Sequence, residues 1–136
     1  MTRVVVDASV LAAIVFSEPG AGEWVRRLEG AALFAPTLLR YELQSVARKK
    51  CRRAPGRSPR IVQALALALD PRAGITWMDP DPSDVVLIAN ATGLTAYDAS
   101  YLCLAGVLDA DLVTGDETLA AALNTFAASP QPATGP

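Results

Sequence analysis

Short apolar runs separated by helical stretches recur along the whole 136-residue chain, and this alternation limits its fold more than any other feature. Residues 3–7 (Arg-Val-Val-Val-Asp) read as a buried strand that passes straight into a helix over 8–16. A second helix over 21–28 follows the Pro19-Gly20 break. Residues 33–35 form a short strand ended by Pro36, and a long helix occupies 37–50. Ser58-Pro59 opens a helix to residue 69 in a serine N-cap, proline N1 arrangement, with a third strand over 75–78. A helix begins at 82–84 and ends at Gly93, a residue suited to the left-handed turn past a helix end. Helix 97–108, strand 111–114 and helix 117–123 complete the pattern. Strands alternating with helices argue for an α/β fold with a mostly parallel sheet covered on both faces.

Four acids stand out against that pattern. Asp7 ends the first strand, Asp116 follows the last one, and Glu42 and Asp98 each fall on the apolar side of a helix. Glu42 lies within the stripe Leu38, Leu39, Leu43 and Val46, where a solvated glutamate is not expected. Asp98 lies one turn before Leu102. Buried carboxylates are costly unless they are paired or bind a metal. Apart from Arg40, no basic residue neighbours these positions, and the chain has no histidine. Each acid also has a plainer reading: helix N-caps for Asp7 and Asp116, an arginine pair for Glu42, and a helix-dipole contact for Asp98. All four would have to coincide. Convergence on one divalent cation is the simpler account, because ligands bind beyond the carboxyl ends of the strands in open parallel sheets.

Composition removes several function classes. With 51% hydrophobic and 19% charged residues the chain is globular, and the net charge of −2 alone suggests no polyanion partner. Eight of the twelve basic residues nevertheless fall between 40 and 60, namely Arg40, Arg48, Lys49, Lys50, Arg52, Arg53, Arg57 and Arg60. That asymmetry points to nucleic acid, with a merely solvated surface as the plainer reading. Arg48, Lys49, Lys50, Arg52 and Arg53 are the candidate nucleic-acid contacts, and would meet RNA if the chain is a ribonuclease. Cys51, placed in the basic loop, and Cys103, placed in a helix, form neither a zinc motif nor a disulfide framework. The N-terminus is a poor signal peptide, and no apolar run reaches the length of about twenty residues needed to cross a bilayer. A cytoplasmic location without membrane contact is expected.

Carboxylate oxygens suit hard cations such as Mg²⁺ or Mn²⁺. Without histidine, attack by the RNA 2′-hydroxyl lacks its usual acid and base. Cation-activated water is then the better nucleophile, and it leaves a 5′-phosphate and a 3′-hydroxyl. Two other phosphate chemistries on α/β folds are disfavoured. A response-regulator receiver needs paired acids after its first strand and a late lysine, and none follows Lys50. A haloacid-dehalogenase phosphatase needs Asp-x-Asp, where this chain has Asp7-Ala8-Ser9.

The segments Val5-Val6-Asp7-Ala8-Ser9-Val10-Leu11, Tyr41-Glu42, Gly93-Leu-Thr-Ala-Tyr97-Asp98-Ala-Ser-Tyr101-Leu-Cys-Leu-Ala105 and Leu112-Val-Thr114-Gly-Asp116 resemble the PIN-domain ribonucleases. Within that family they look most like the VapC-type toxins of toxin–antitoxin pairs. The resemblance spans residues 1–124, and the Tyr97–Leu102 segment is its most specific part. It implies a three-layer α/β/α sandwich around a four- to five-stranded sheet, with a PIN domain over 1–126; the remaining residues 127–136, rich in proline with nothing to bury, are expected to form a disordered tail. It implies catalytic metal ligands at Asp7, Glu42, Asp98 and Asp116, supported by Ser9 and Thr114. It further implies Mg²⁺- or Mn²⁺-dependent RNA cleavage, a homodimer and a cognate VapB-type antitoxin. A PIN-like module that binds RNA or a partner without cutting is the alternative. The family usually adds an edge strand after its last helix, where this chain runs into Pro-rich sequence, and often has a basic residue where Glu117 stands.

Overall fold

The computed structural model describes residues 1–128. Four parallel strands, β1 (Arg3–Val6), β2 (Ala32–Ala35), β3 (Ile75–Trp77) and β4 (Asp111–Val113), lie in the order β3-β2-β1-β4. Seven helices connect and cover them: α1 (Ala8–Val15), α2 (Ala21–Leu28), α3 (Leu38–Arg53), α4 (Ser58–Leu69), α5 (Pro82–Thr92), α6 (Ala96–Leu108) and α7 (Glu117–Ala128). Their principal contacts divide them into two groups. Helices α1 to α4 pack together, and α5 to α7 form the other set, with α6 against β1 and β4. This is the three-layer sandwich expected from the alternation.

β1 is buried on both faces, which explains its unbroken Val4-Val5-Val6 run with no alternation. The chain builds outward from β1 through β2 to β3, then returns to place β4 on the other side. Strand order therefore reverses between β1 and β4, where such sheets form a crevice at the carboxyl ends of their strands. Val6 pairs in register with Val113, so the residues following them are neighbours. Leu39 and Leu43 on α3, and Tyr101, Leu102 and Leu104 on α6, are fully buried and fix both helices over the sheet.

Several boundaries differ from the sequence reading. Helix α3 runs to Arg53, three residues past the expected end, so Cys51, Arg52 and Arg53 are helical rather than in a loop. Its last turn ends in basic residues, which favour the negative helix end. Ser58 does not cap α4. A single turn of 3₁₀ helix over Pro55–Arg57 leads into that helix, and Ser58 already has helical dihedrals. The closing helix α7 extends to Ala128, and no fifth strand exists among the described residues. The sheet is wholly rather than mostly parallel. Residues 129–136, most of the expected tail, lie outside the described residues. Gly93 ends α5 with φ of 77°, as its position predicts. No described helix is long and apolar enough to cross a membrane.

Candidate active site

Asp7 is the only buried charged residue among those described, 5% exposed at the end of β1. Its carboxylate is almost fully engaged. Oδ1 accepts from the Ser9 hydroxyl at 2.6 Å and from the Val10 N–H at 3.1 Å, and Oδ2 accepts from the Thr114 hydroxyl. The N-cap reading of Asp7 is therefore correct, and capping also locks its side chain. Thr114 and Asp7 are 107 positions apart in sequence. The network continues through the Gly115 N–H, which donates to Ser9 Oγ at 2.9 Å, and the Asp116 N–H, which donates to Thr114 Oγ1 at 2.9 Å. An added Cβ on Gly115 would stand 3.3 Å from Ser9 Oγ and 3.4 Å from the Trp24 ring, so this turn has room for glycine alone without displacement.

Asp116 itself is exposed and caps α7, accepting from the Leu119 N–H at 2.9 Å. Glu117 sits exposed in the first turn of α7 and makes no side-chain hydrogen bond or ion pair with the described residues. Asp98 is half-buried in the first turn of α6, a helix capped by the Thr95 hydroxyl at 3.1 Å from the Asp98 N–H. Glu42 is half-buried on α3, and Tyr101 on α6 donates its hydroxyl to Glu42 Oε1 at 2.5 Å. The opening turn of α3 is held from outside its own helix. Asp79, just past β3, accepts from both the N–H and the hydroxyl of Thr37, at 2.8 and 2.9 Å.

The electrostatics show that the acids share one region. Burial raises the Glu42 pKa above the ordinary glutamate range, the Tyr101 hydroxyl opposes this, and Asp98 and Asp7 push it further up. Burial likewise raises Asp98, and Asp116 and Asp7 add to the shift. Burial, then the bond to Glu42, keeps Tyr101 protonated far above its usual range. No basic side chain relieves this repulsion. Arg40, the sequence candidate for pairing with Glu42, instead stacks over the Trp77 ring at 5.2 Å. The ion pairs among the described residues, Lys50–Glu18 and Arg72–Asp70, are both elsewhere.

The donor set is thus all oxygen, mutually repelling and without a counter-cation, which is the chemistry a hard dication satisfies. Among the described residues no three acidic side chains stand close enough to share one ion. The carboxylates are gathered at the crevice but not drawn into a coordination shell. Of the residues singled out in the sequence, Ser9, Thr114 and Asp116 join Asp7 in one hydrogen-bond network, while Glu42, Asp98 and Asp116 are less deeply buried than the sequence suggested. Sequence reasoning missed the roles of Tyr101 and Asp79. Tyr101 was visible as a polar-tipped residue one turn after Asp98, whereas nothing in the sequence pairs residue 79 with residue 37.

The basic residues lie apart from the crevice. Arg48, Lys49, Arg52 and Arg53 are exposed toward the far end of α3. At 1.5 Å rise per residue, Lys49 and Arg53 stand about 10 and about 16 Å from Glu42 on the same side of the helix. Lys50 is not free in the same way, being paired with Glu18 at 2.8 Å and placed over the Phe16 ring at 5.6 Å.

Comparison with known proteins agrees with this architecture. Residues 4–122 match the PIN domain. A Pyrobaculum aerophilum protein, PAE2754, is similar over 92% of this chain and 92% of its own, with a TM-score of 0.72 and 26% identity. The Mycobacterium tuberculosis toxin VapC20, described as cleaving the sarcin–ricin loop, covers 88% of this chain and 94% of its own, with a TM-score of 0.61 and 15% identity. The second likeness is one of fold. No curated protein matches the sequence significantly.

Proposed function

Because the chain belongs to the PIN domain family, we propose that it is a Mg²⁺- or Mn²⁺-dependent endoribonuclease and the toxin of a VapB–VapC-type pair. The observation that carries this reading is the unrelieved acidic crevice. Burial raises the pKa values of Glu42 on α3 and Asp98 on α6, neighbouring carboxylates at the end of β1 and in the β4–α7 turn raise them further, and no lysine or arginine is paired with any of the four. Asp7, Glu42, Asp98 and Asp116 would hold the cation, with Ser9 and Thr114 supporting Asp7. When bound, the cation would acidify a water and offset charge on the scissile phosphate.

The protein's own residues divide the remaining work. Asp7 is held rigid by three donors, so it presents its free lone pairs in a fixed direction. The Tyr101 hydroxyl orients Glu42, and Asp79 anchors the helix that carries it. Absence of histidine leaves no imidazole for 2′-hydroxyl attack, so hydrolysis should give 5′-phosphate and 3′-hydroxyl ends. Beyond the crevice, Lys49 and Arg53 lie below Glu42 on one side of α3, where a strand leaving the cleft would meet them; Arg48, Lys50 and Arg52 belong to the same basic end.

Two partners follow. An antitoxin segment presenting arginine would complement the acidic crevice and keep it inactive. A second copy would cover exposed apolar side chains of α4 such as Val62 and Leu67, on a helix with no fully buried residue; a strictly monomeric chain in sedimentation would remove that element. A cytoplasmic location fits a toxin acting on cellular RNA. The decisive test is digestion of pooled transfer, ribosomal and messenger RNA with and without Mn²⁺. Cation-dependent cutting that leaves 5′-phosphates, abolished in a folded Asp98→Asn variant, is expected. Cyclic 2′,3′-phosphate ends, or undiminished cutting by the variant, would refute the mechanism; binding without cutting would favour the non-catalytic alternative.

A further inference from the structure

Two of the three tyrosines are left on the surface, and each immediately precedes an acid of the crevice: Tyr41 before Glu42, and Tyr97 before Asp98. They are 66% and 65% exposed, whereas Tyr101 is buried. Isolated exposed apolar side chains are ordinary. These two are not isolated. They line one open cleft of about 410 Å³ together with Leu38, Glu42, Ser45, Thr95 and Asp98.

The charge of that lining narrows what it accepts. It holds two carboxylates and no lysine or arginine. Arg40, beside Tyr41 in sequence, is committed to Trp77. A phosphate entering this part of the cleft meets no side-chain cation. A nucleobase is uncharged, and its face stacks on a tyrosine ring whatever the sequence. Each ring also comes from a different helix, α3 or α6, so bases can be held on both sides of the carboxylates. A duplex already stacks its bases internally and has no free face to offer.

We infer that Tyr41 and Tyr97 form a stacking rim for unpaired bases flanking the acidic crevice and are the side chains through which the site engages the bases of its substrate. This rests on the proposed function for its substrate, but its binding test does not require cutting. Stacking on an aromatic residue is worth a factor of about 5 to about 150 per base.

The test uses the full chain carrying Asp98→Asn and three fluorescent probes at one salt concentration: an unstructured RNA decamer, the same decamer in a duplex, and the decamer with abasic central positions. Tyr41→Leu and Tyr97→Leu should each weaken single-strand binding by about 5- to 150-fold. Tyr41→Phe and Tyr97→Phe should stay within about twofold of the parent, because the ring is retained. The duplex and abasic probes should bind all variants alike. Unchanged single-strand binding by the leucine variants, equal losses in the phenylalanine variants, equal losses on the abasic probe, or no measurable single-strand binding would each overturn the inference. Ring-dependent binding, with no RNA cutting by the chain that retains Asp98, would keep the rim and discard the nuclease reading. Undiminished cutting of single-stranded RNA by the leucine variants made with Asp98 intact would do the reverse.

Discussion

Replacing Tyr101 with Phe removes one oxygen from a ring that is 1% exposed and leaves the packing of α6 against the sheet otherwise unchanged. What is lost is a 2.5 Å hydrogen bond to Glu42. Bonds to charged groups contribute roughly 1.5–3 kcal/mol, but Glu42 is only half-buried and water can partly replace the donor. A loss of about 1–2 kcal/mol at neutral pH is therefore expected, or about 3–8 °C in Tm for a domain of this size. The sign with pH follows from the charge. The Tyr101 bond favours ionised Glu42, so it lowers a pKa that burial raises. The deficit of Tyr101→Phe should be full above the Glu42 pKa and shrink as pH falls through it. In a Glu42→Gln background the same substitution should cost only about 1 kcal/mol, the ordinary value for a neutral bond. Losing a partner that orients a metal ligand should also weaken Mn²⁺ affinity by about 10- to 100-fold. Calorimetry of the four proteins of this cycle at pH 5 and 7.5, with a Mn²⁺ titration of Tm, measures all of this. Equal destabilisation at both pH values and in both backgrounds would show that the hydroxyl does nothing for the carboxylate.

Three further outcomes are expected. Glu42→Gln alone should raise the cation-free Tm at pH 7, because a carboxylate whose folded pKa is raised loses stability as pH rises from the ordinary glutamate range to the raised value; calorimetry between pH 4 and 8 should show a flatter profile, and an unchanged profile would mean that neither burial nor the neighbouring acids disfavour ionised Glu42. Gly115→Ala should cost about 1–3 kcal/mol and impair cutting, since its Cβ presses on the Ser9 hydroxyl that steadies Asp7; denaturant melts and RNA digestion measure both, and wild-type values in each would exclude the contact. Joint replacement of Lys49, Arg52 and Arg53 by Ala, sparing Lys50 because it pairs with Glu18, should flatten the salt dependence of RNA binding by about two in log–log slope; an unaltered slope returns that surface to a solvating role.

The fold was legible wherever one short run decided the local structure. Val4-Val5-Val6 gave a strand buried on both faces, and Gly93 marked the end of α5 by the conformation it adopts. Asp7 and Asp116 were legible as neighbours because both follow strands, and strand ends converge in a parallel sheet. The errors have one cause. Helix ends depend on which neighbour satisfies the last backbone groups, and that is not written locally. Ser58 follows a turn that is already helical, so it has no cap to form, and α3 continues through Arg53 with its final carbonyls near basic side chains. Depth was misjudged for the same reason. Glu42 lies on an apolar stripe, yet the stripe reaches the rim of the crevice, where half the side chain meets water. The Asp79–Thr37 strap spans 42 positions and could not be read from either end.

The seam between β1 and β4 has a consequence for the order in which the molecule becomes able to act. Asp7 is made 107 positions before its Thr114 donor, so a nascent or truncated chain that stops between them carries this acid without its clamp. Contacts of such separation form late, because a long loop must close before they contribute. A polypeptide interrupted anywhere before β4 can hold Glu42 and even Asp98, but Asp7 lacks the hydroxyl that fixes its second oxygen. The finished crevice is a property of the complete fold, and no fragment released during synthesis carries it.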